Sequence, residues 1–215
     1  MTLVDAASRA PALVLASGSP RRRQILAQLG LAFEALAAPD GVETPWDRSE
    51  EPTSFAVRLA RRKAAAVSEV RPDALVVAAD TVVVLEGEVL EKPDDEADAR
   101  RMLARLAGRE HIVHTGAAVE APGAGGERSV AVGLESTRVR FRPLGADEID
   151  RYVATGEPLD KAGAYGIQGY GAALVESVGG CYFNVMGFPV VRVLALLAET
   201  GWRYEFPGLL VARDR

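Results

Sequence analysis

The most chemically suggestive stretch of the chain is Ser17-Gly18-Ser19-Pro20-Arg21-Arg22-Arg23, at the end of a short apolar run. A strand-to-helix turn of this composition offers free backbone N–H groups, two hydroxyls and adjacent guanidinium groups, a set suited to polyphosphate. It is not a Walker A loop, because G-x-x-x-x-G-K-[ST] occurs nowhere in the sequence. The blander reading is a capped helix with a solvated basic first turn. Three basic residues there oppose the helix dipole, so a purely structural helix has little reason to gather them.

Asp80 lies inside the apolar run LVVAADTVVVL, where burying a carboxylate costs several kcal/mol unless it is paired or metal-bound. It is therefore a candidate catalytic or metal-binding group at a strand bend, the alternative being a bulge where it meets solvent. Lys63, on a basic helical face, and Lys92, between Glu91 and Pro93, each read as ordinary surface cations when taken alone. The glycine-spaced segment DKAGAYGIQG, residues 160–169, could bring backbone close to a ligand, but it fails the G-x-G-x-x-G dinucleotide pattern. His111 and His114, three apart on an expected strand, should face opposite ways and cannot share one metal. Cys181 has no histidine nearby in sequence, which disfavours a thiol nucleophile.

Elements that would position these residues follow from the hydrophobic pattern. Residues 12–16 read as a buried strand, followed by a helix with Ser19 as N-cap, Pro20 in its first turn and Gly30 at its end. A helix is expected over 53–70 and a long strand over 74–85, broken at Asp80-Thr81. A turn at Glu86-Gly87-Glu88 leads to a partner strand at Val89-Leu90, then a helix over 94–107. Strands over 111–120 and 129–141 flank the Gly-rich loop APGAGGER. A helix over 147–155, a glycine-dense segment 156–171, a strand over 172–178 and a helix over 189–200 complete the pattern. Alternating strands and helices with hairpins imply an α/β fold with a mixed central β-sheet and flanking helices.

Composition narrows the classes. Of 215 residues, 48% are hydrophobic and 26% charged, which excludes a disordered chain. The 25 basic and 30 acidic residues give a net charge of −5, which disfavours a nucleic-acid partner. No apolar run is long enough to span a membrane, and the first residues show no basic, then apolar, leader pattern. One cysteine permits no internal disulfide and agrees with a reducing cytoplasm. Residues 1–11 are expected as a flexible tail, 12–202 as a single domain of two lobes, and 203–215 as a C-terminal tail.

LVLASGSPRRRQIL (13–26), RLARRKA (58–64), AADTVVVLEGEVLEKP (78–93) and DKAGAYGIQGYGA (160–172) together resemble the Maf family of nucleoside triphosphate pyrophosphatases, in the family's order. The resemblance implies hydrolysis between the α and β phosphates, a divalent metal such as Mg²⁺ or Mn²⁺, and an elongated α/β body with a cleft between two lobes, often dimeric. By motif, Ser17, Arg21 and Arg22 match the family's phosphate-binding loop, and Lys63 and Lys92 its two cleft lysines. Asp80 matches its general base and, with Glu43, its metal-binding acids. Val42 stands where the family often has a second acid, which leaves one fewer candidate ligand. Thr81 and Gln168, with Arg21, match the positions that mark the dTTP/UTP subgroup, and a glutamine amide can read the donor–acceptor edge of uracil or thymine. A 7-methyl-GTP pyrophosphatase, an inosine or xanthosine triphosphatase, and a non-catalytic nucleotide-binding division regulator remain the alternatives.

Overall fold

The computed structural model describes residues 10–213, so most of the tail expected over 1–11 lies outside the described residues. Leu13–Leu15 (β1) is buried, and its turn leads into Pro20–Gln28 (α1). Ser19 caps α1, accepting from the Arg22 N–H at 3.5 Å, with Pro20 pre-set for the first turn. A two-residue strand, Glu34–Ala35 (β2), lies parallel to β1. Pro52–Val70 (α2) presents Ala56, Ala60 and Ala64 at four-residue spacing, all at 0% exposure, a stripe small enough to lie close on the sheet.

Leu75–Leu85 (β3) and Glu88–Leu90 (β4) form the expected hairpin, and Glu96–Leu106 (α3) starts at an Asp95 cap. Glu110–Pro122 (β5) and Arg128–Phe141 (β6) are the long antiparallel pair. The expected break at Asp80-Thr81 is corrected. β3 holds register with β5 from Val76 through Val84, with Asp80 opposite Gly116, because Asp80 is neutralised by a partner and needs no solvent-facing bend.

Ala146–Val153 (α4) leads into short 3₁₀ turns, of which Gly169–Leu174 replaces the start of the strand expected over 172–178. The Glu157 carboxylate takes the N–H groups of Tyr170 and Gly171, both at 2.9 Å, so these donors are unavailable to a ladder. The strand proper is Val175–Gly179 (β7), followed by Tyr182–Val185 (α5) and Val190–Glu199 (α6). The C-terminal tail expected from 203 is also corrected, since Trp202–Glu205 (β8) and Leu209–Ala212 (β9) form a hairpin. Trp202, Tyr204 and Leu210 are half-buried against the core, and that apolar contact orders the segment.

The sheet runs β2-β1-β3-β5-β6-β7, with β4 added beside β3. β1 is parallel to both its neighbours and all other pairs are antiparallel, so the sheet is mixed, as expected. One core cluster joins β1, α1, β5 and α6. A second joins α3, α4, Phe141 and Tyr165 around the other end of β3. Among the described residues, no helix is long and apolar enough to cross a membrane.

Candidate active site

The ends of β1 and α1, the middle of β3, the loop before α2, and the segments after β4 and α4 surround a cleft of about 810 Å³. Ser17, Arg21, Arg22, Glu43, Lys63, Asp80, Thr81 and Lys92 all line it. Gln168 does not. It sits at the start of the 3₁₀ turn Gly169–Leu174, outside the lining.

At the cleft floor, Lys63 reaches from α2 to the Asp80 carboxylate on β3, and both residues are buried. The same ammonium lies 2.6 Å from Glu43 Oε1. A buried carboxylate needs a partner, and here two acids share one cation. Lys63 bonds Oδ1 of Asp80, while no side chain among the described residues takes Oδ2. The hydrogen bond from Lys63 holds the Glu43 carboxyl below its ordinary range, against some desolvation, with Lys92 and Arg22 adding to the pull.

Arg22 is fixed from three sides. Its Nε donates to Gly187 O at 2.8 Å, Nη1 to Ser17 Oγ at 3.3 Å and Nη2 to Thr81 Oγ1 at 3.3 Å. Burial lowers its pKa and the Asp80 charge opposes that, so a guanidinium of such high intrinsic pKa stays charged. Of its five N–H groups three are committed, which leaves one on each Nη for a ligand. Two N–H groups on one guanidinium suffice in number to meet two phosphate oxygens.

Sequence reading did not single out four further lining residues. Asp160, Lys161 and Tyr165 come from the DKAGAYGIQG motif, and Glu91 precedes Lys92. Lys161 Nζ is tied to Asp160 Oδ1 at 2.6 Å and to Glu157 O at 2.5 Å. The motif carried the signal, since Asp160-Lys161 opens it. Five cations (Arg21, Arg22, Lys63, Lys92, Lys161) thus face five carboxylates (Asp40, Glu43, Asp80, Glu91, Asp160). The cleft has cationic patches but is balanced in formal charge.

Residues 12–200 match the Maf family, described as Maf-like protein. A dTTP/UTP pyrophosphatase of Moorella thermoacetica is 53% identical over 189 residues, spanning 88% of this chain and 95% of that protein. One from Symbiobacterium thermophilum is 50% identical over 190 residues, 88% and 94% of the two chains. One from Anaeromyxobacter dehalogenans is 52% identical over 199 residues, 90% and 96% respectively. The solved structure of the Staphylococcus aureus Ham1 protein aligns with a TM-score of 0.41 at 17% identity, covering 76% of this chain and 79% of that one. Matched over nearly all its length, the chain belongs to the Maf family.

Proposed function

We propose that this protein is a nucleoside triphosphate pyrophosphatase that hydrolyses dTTP and UTP to the monophosphate and pyrophosphate. The observation that carries the reading is the convergence of Asp80, Lys63 and Glu43 with the Arg21-Arg22 turn in one cleft. The names of the three relatives point to the same activity.

In this reading Arg22 receives phosphate oxygens on its two free N–H groups, beside Arg21, Lys92 and the start of α1. Asp80, through Oδ2, orients a water and accepts its proton as the water attacks the α-phosphorus. The bond from that phosphorus to the oxygen bridging to the β-phosphate breaks, and pyrophosphate leaves with the electron pair. Lys63 keeps Asp80 in place and balances its charge, and the basic groups stabilise the charge growing on the leaving group.

A triphosphate carries up to four negative charges, and a balanced lining cannot offset them alone. Among the described residues no group of three or more His, Cys, Asp or Glu side chains could hold a metal. Two carboxylates do converge, however, and a hard cation such as Mg²⁺ or Mn²⁺ takes one or two carboxylates and completes its shell with phosphate and water oxygens. Glu43 and Asp80 would hold it, and it would supply positive charge against the phosphate oxygens.

Incubation with UTP or dTTP and Mg²⁺ is expected to release pyrophosphate, with kcat/KM at least about tenfold above that for 7-methyl-GTP, a difference of about 1.4 kcal/mol. Release of orthophosphate would refute the cleavage position, and preference for the methylated purine would refute the substrate.

A further inference from the structure

Behind the cleft wall, a closed circuit of hydrogen bonds returns to Arg22. Its Nη2 donates to Thr81 Oγ1 at 3.3 Å, and Thr81 Oγ1 lies 3.0 Å from Thr115 Oγ1. Thr115 Oγ1 donates to the Asn184 carbonyl at 3.1 Å, and the same carbonyl takes the Gly187 N–H at 2.8 Å. Gly187 O then accepts from Arg22 Nε at 2.8 Å, which closes the circuit. Thr115 and Asn184 are both fully buried. The Asn184 amide is itself pinned, with Nδ2 donating to Val113 O at 2.9 Å and to Thr137 Oγ1 at 3.0 Å. Gly187 has φ +93°, and a Cβ there would sit 3.2 Å from Thr81 Oγ1 and 3.5 Å from Arg22 Nη2, so the circuit needs glycine at this corner.

Proton counting then fixes the direction of every bond. A threonine hydroxyl has one proton to donate. That of Thr115 is committed to the Asn184 carbonyl, so Thr81 must supply the proton between the two threonines. Thr81 accepts from Arg22 and has no proton left for a ligand. A triphosphate at neutral pH presents acceptor oxygens, to which such a hydroxyl can offer nothing.

We infer that Thr115 and Asn184 are positioning residues: they hold Thr81 as an acceptor, and Thr81 governs the substrate by aiming the Arg22 guanidinium instead of contacting phosphate itself. This rests on the reading of the cleft as a nucleoside triphosphate site. It assigns a role to two buried residues that lie outside the lining of the cleft.

A double-mutant cycle tests it. Thr115→Val keeps the shape and removes a hydroxyl that both accepts from Thr81 and donates to the Asn184 carbonyl. It should lower kcat/KM for UTP with Mg²⁺ roughly ten- to fiftyfold, the worth of two neutral hydrogen bonds. Thr115→Ser should restore the activity to within roughly twofold. In a Thr81→Val background, Thr115→Val should cost clearly less than it does in the wild type, because the route through Thr81 is already cut and only that through Asn184 and Gly187 remains. In side-chain ¹H–¹⁵N spectra the Arg22 Nε–H signal should be sharp in the wild type, where it is held by Gly187 O, and should broaden by exchange in Thr115→Val. Should that variant not fold, Thr115→Ala takes its place in both measurements. Additive losses in the cycle, or an unchanged Arg22 signal, would overturn the inference. If the wild type cleaves no nucleotide, the functional reading fails, and the Arg22 spectrum alone still decides the positioning claim.

Discussion

Asp80 on β3 pairs in register with Gly116 on β5, and the missing side chain at Gly116 is what lets α2 lay Lys63 onto the Asp80 carboxylate. A Cβ at Gly116 would sit 2.3 Å from the Ala56 carbonyl oxygen and 2.4 Å from its carbon. Both are backbone atoms of α2 and have no rotamer through which to yield.

Gly116→Ala is therefore expected to force α2 off the sheet, at the roughly 1–3 kcal/mol typical of overpacking. Urea unfolding should show the loss in its midpoint, and pyrophosphate release should fall along with it as Lys63 is drawn away. A variant as stable and active as the wild type would remove Gly116 from this role.

Asp80→Asn keeps volume and removes charge, leaving Lys63 its Glu43 partner at 2.6 Å. Turnover should drop about 10²–10⁴-fold, the range for a lost general base, with the thermal midpoint nearly unchanged. Retention of more than about half the wild-type kcat would exclude Asp80 as the proton acceptor.

Arg22→Lys keeps the charge but loses the fork that reaches Gly187, Ser17 and Thr81 together. Charged hydrogen bonds are worth about 1.5–3 kcal/mol, so kcat/KM should fall roughly 10–150-fold. Wild-type kinetics in this variant would show that simple positive charge is enough at the position.

Stability should depend on pH through His111, a buried imidazole with Phe141 and Tyr165 edge-on to it. Burial pushes its pKa down from 6.5 to about 4. The unfolded chain takes up a proton near pH 6.5 that the folded chain refuses until about pH 4, so the stabilisation is full above pH 6.5 and is lost as pH falls through that window. The whole loss amounts to about 3 kcal/mol. Burial of His114 acts in the same direction. Urea midpoints measured between pH 7 and pH 5 should fall less steeply in His111→Gln than in the wild type, and parallel slopes would contradict the assignment.

Elements with strong local signals could be read from the sequence. The Ser19 cap with Pro20, the apolar strand around Asp80 and the long helix expected over 53–70 each appear where their patterns place them. The partner of Asp80 was not legible, because Lys63 is 17 residues away and looks like one more cation on a basic helix. Thr115 and Asn184 carry no local signature either, since their function lies in contacts 34 and 69 residues long. The C-terminal hairpin did leave a trace in the alternation of Trp202-Arg203-Tyr204-Glu205 before Pro207-Gly208, a strand leading into a turn.

That hairpin also bears on the order in which the molecule can assemble. The Tyr204 hydroxyl donates to the Leu29 carbonyl at 2.9 Å, joining residues 175 positions apart, and the backbones of Gly30 and Gly208 touch at a spacing that admits no Cβ on either. Closing so long a loop costs entropy before it returns contact energy, whereas the β5–β6 ladder zips from a local turn. In a refolding chain the antiparallel ladder should come first and the far end of α1 should be secured late. Since Arg21 and Arg22 ride on the other end of that helix, recovery of enzymatic activity should lag behind recovery of the β-sheet signal in circular dichroism.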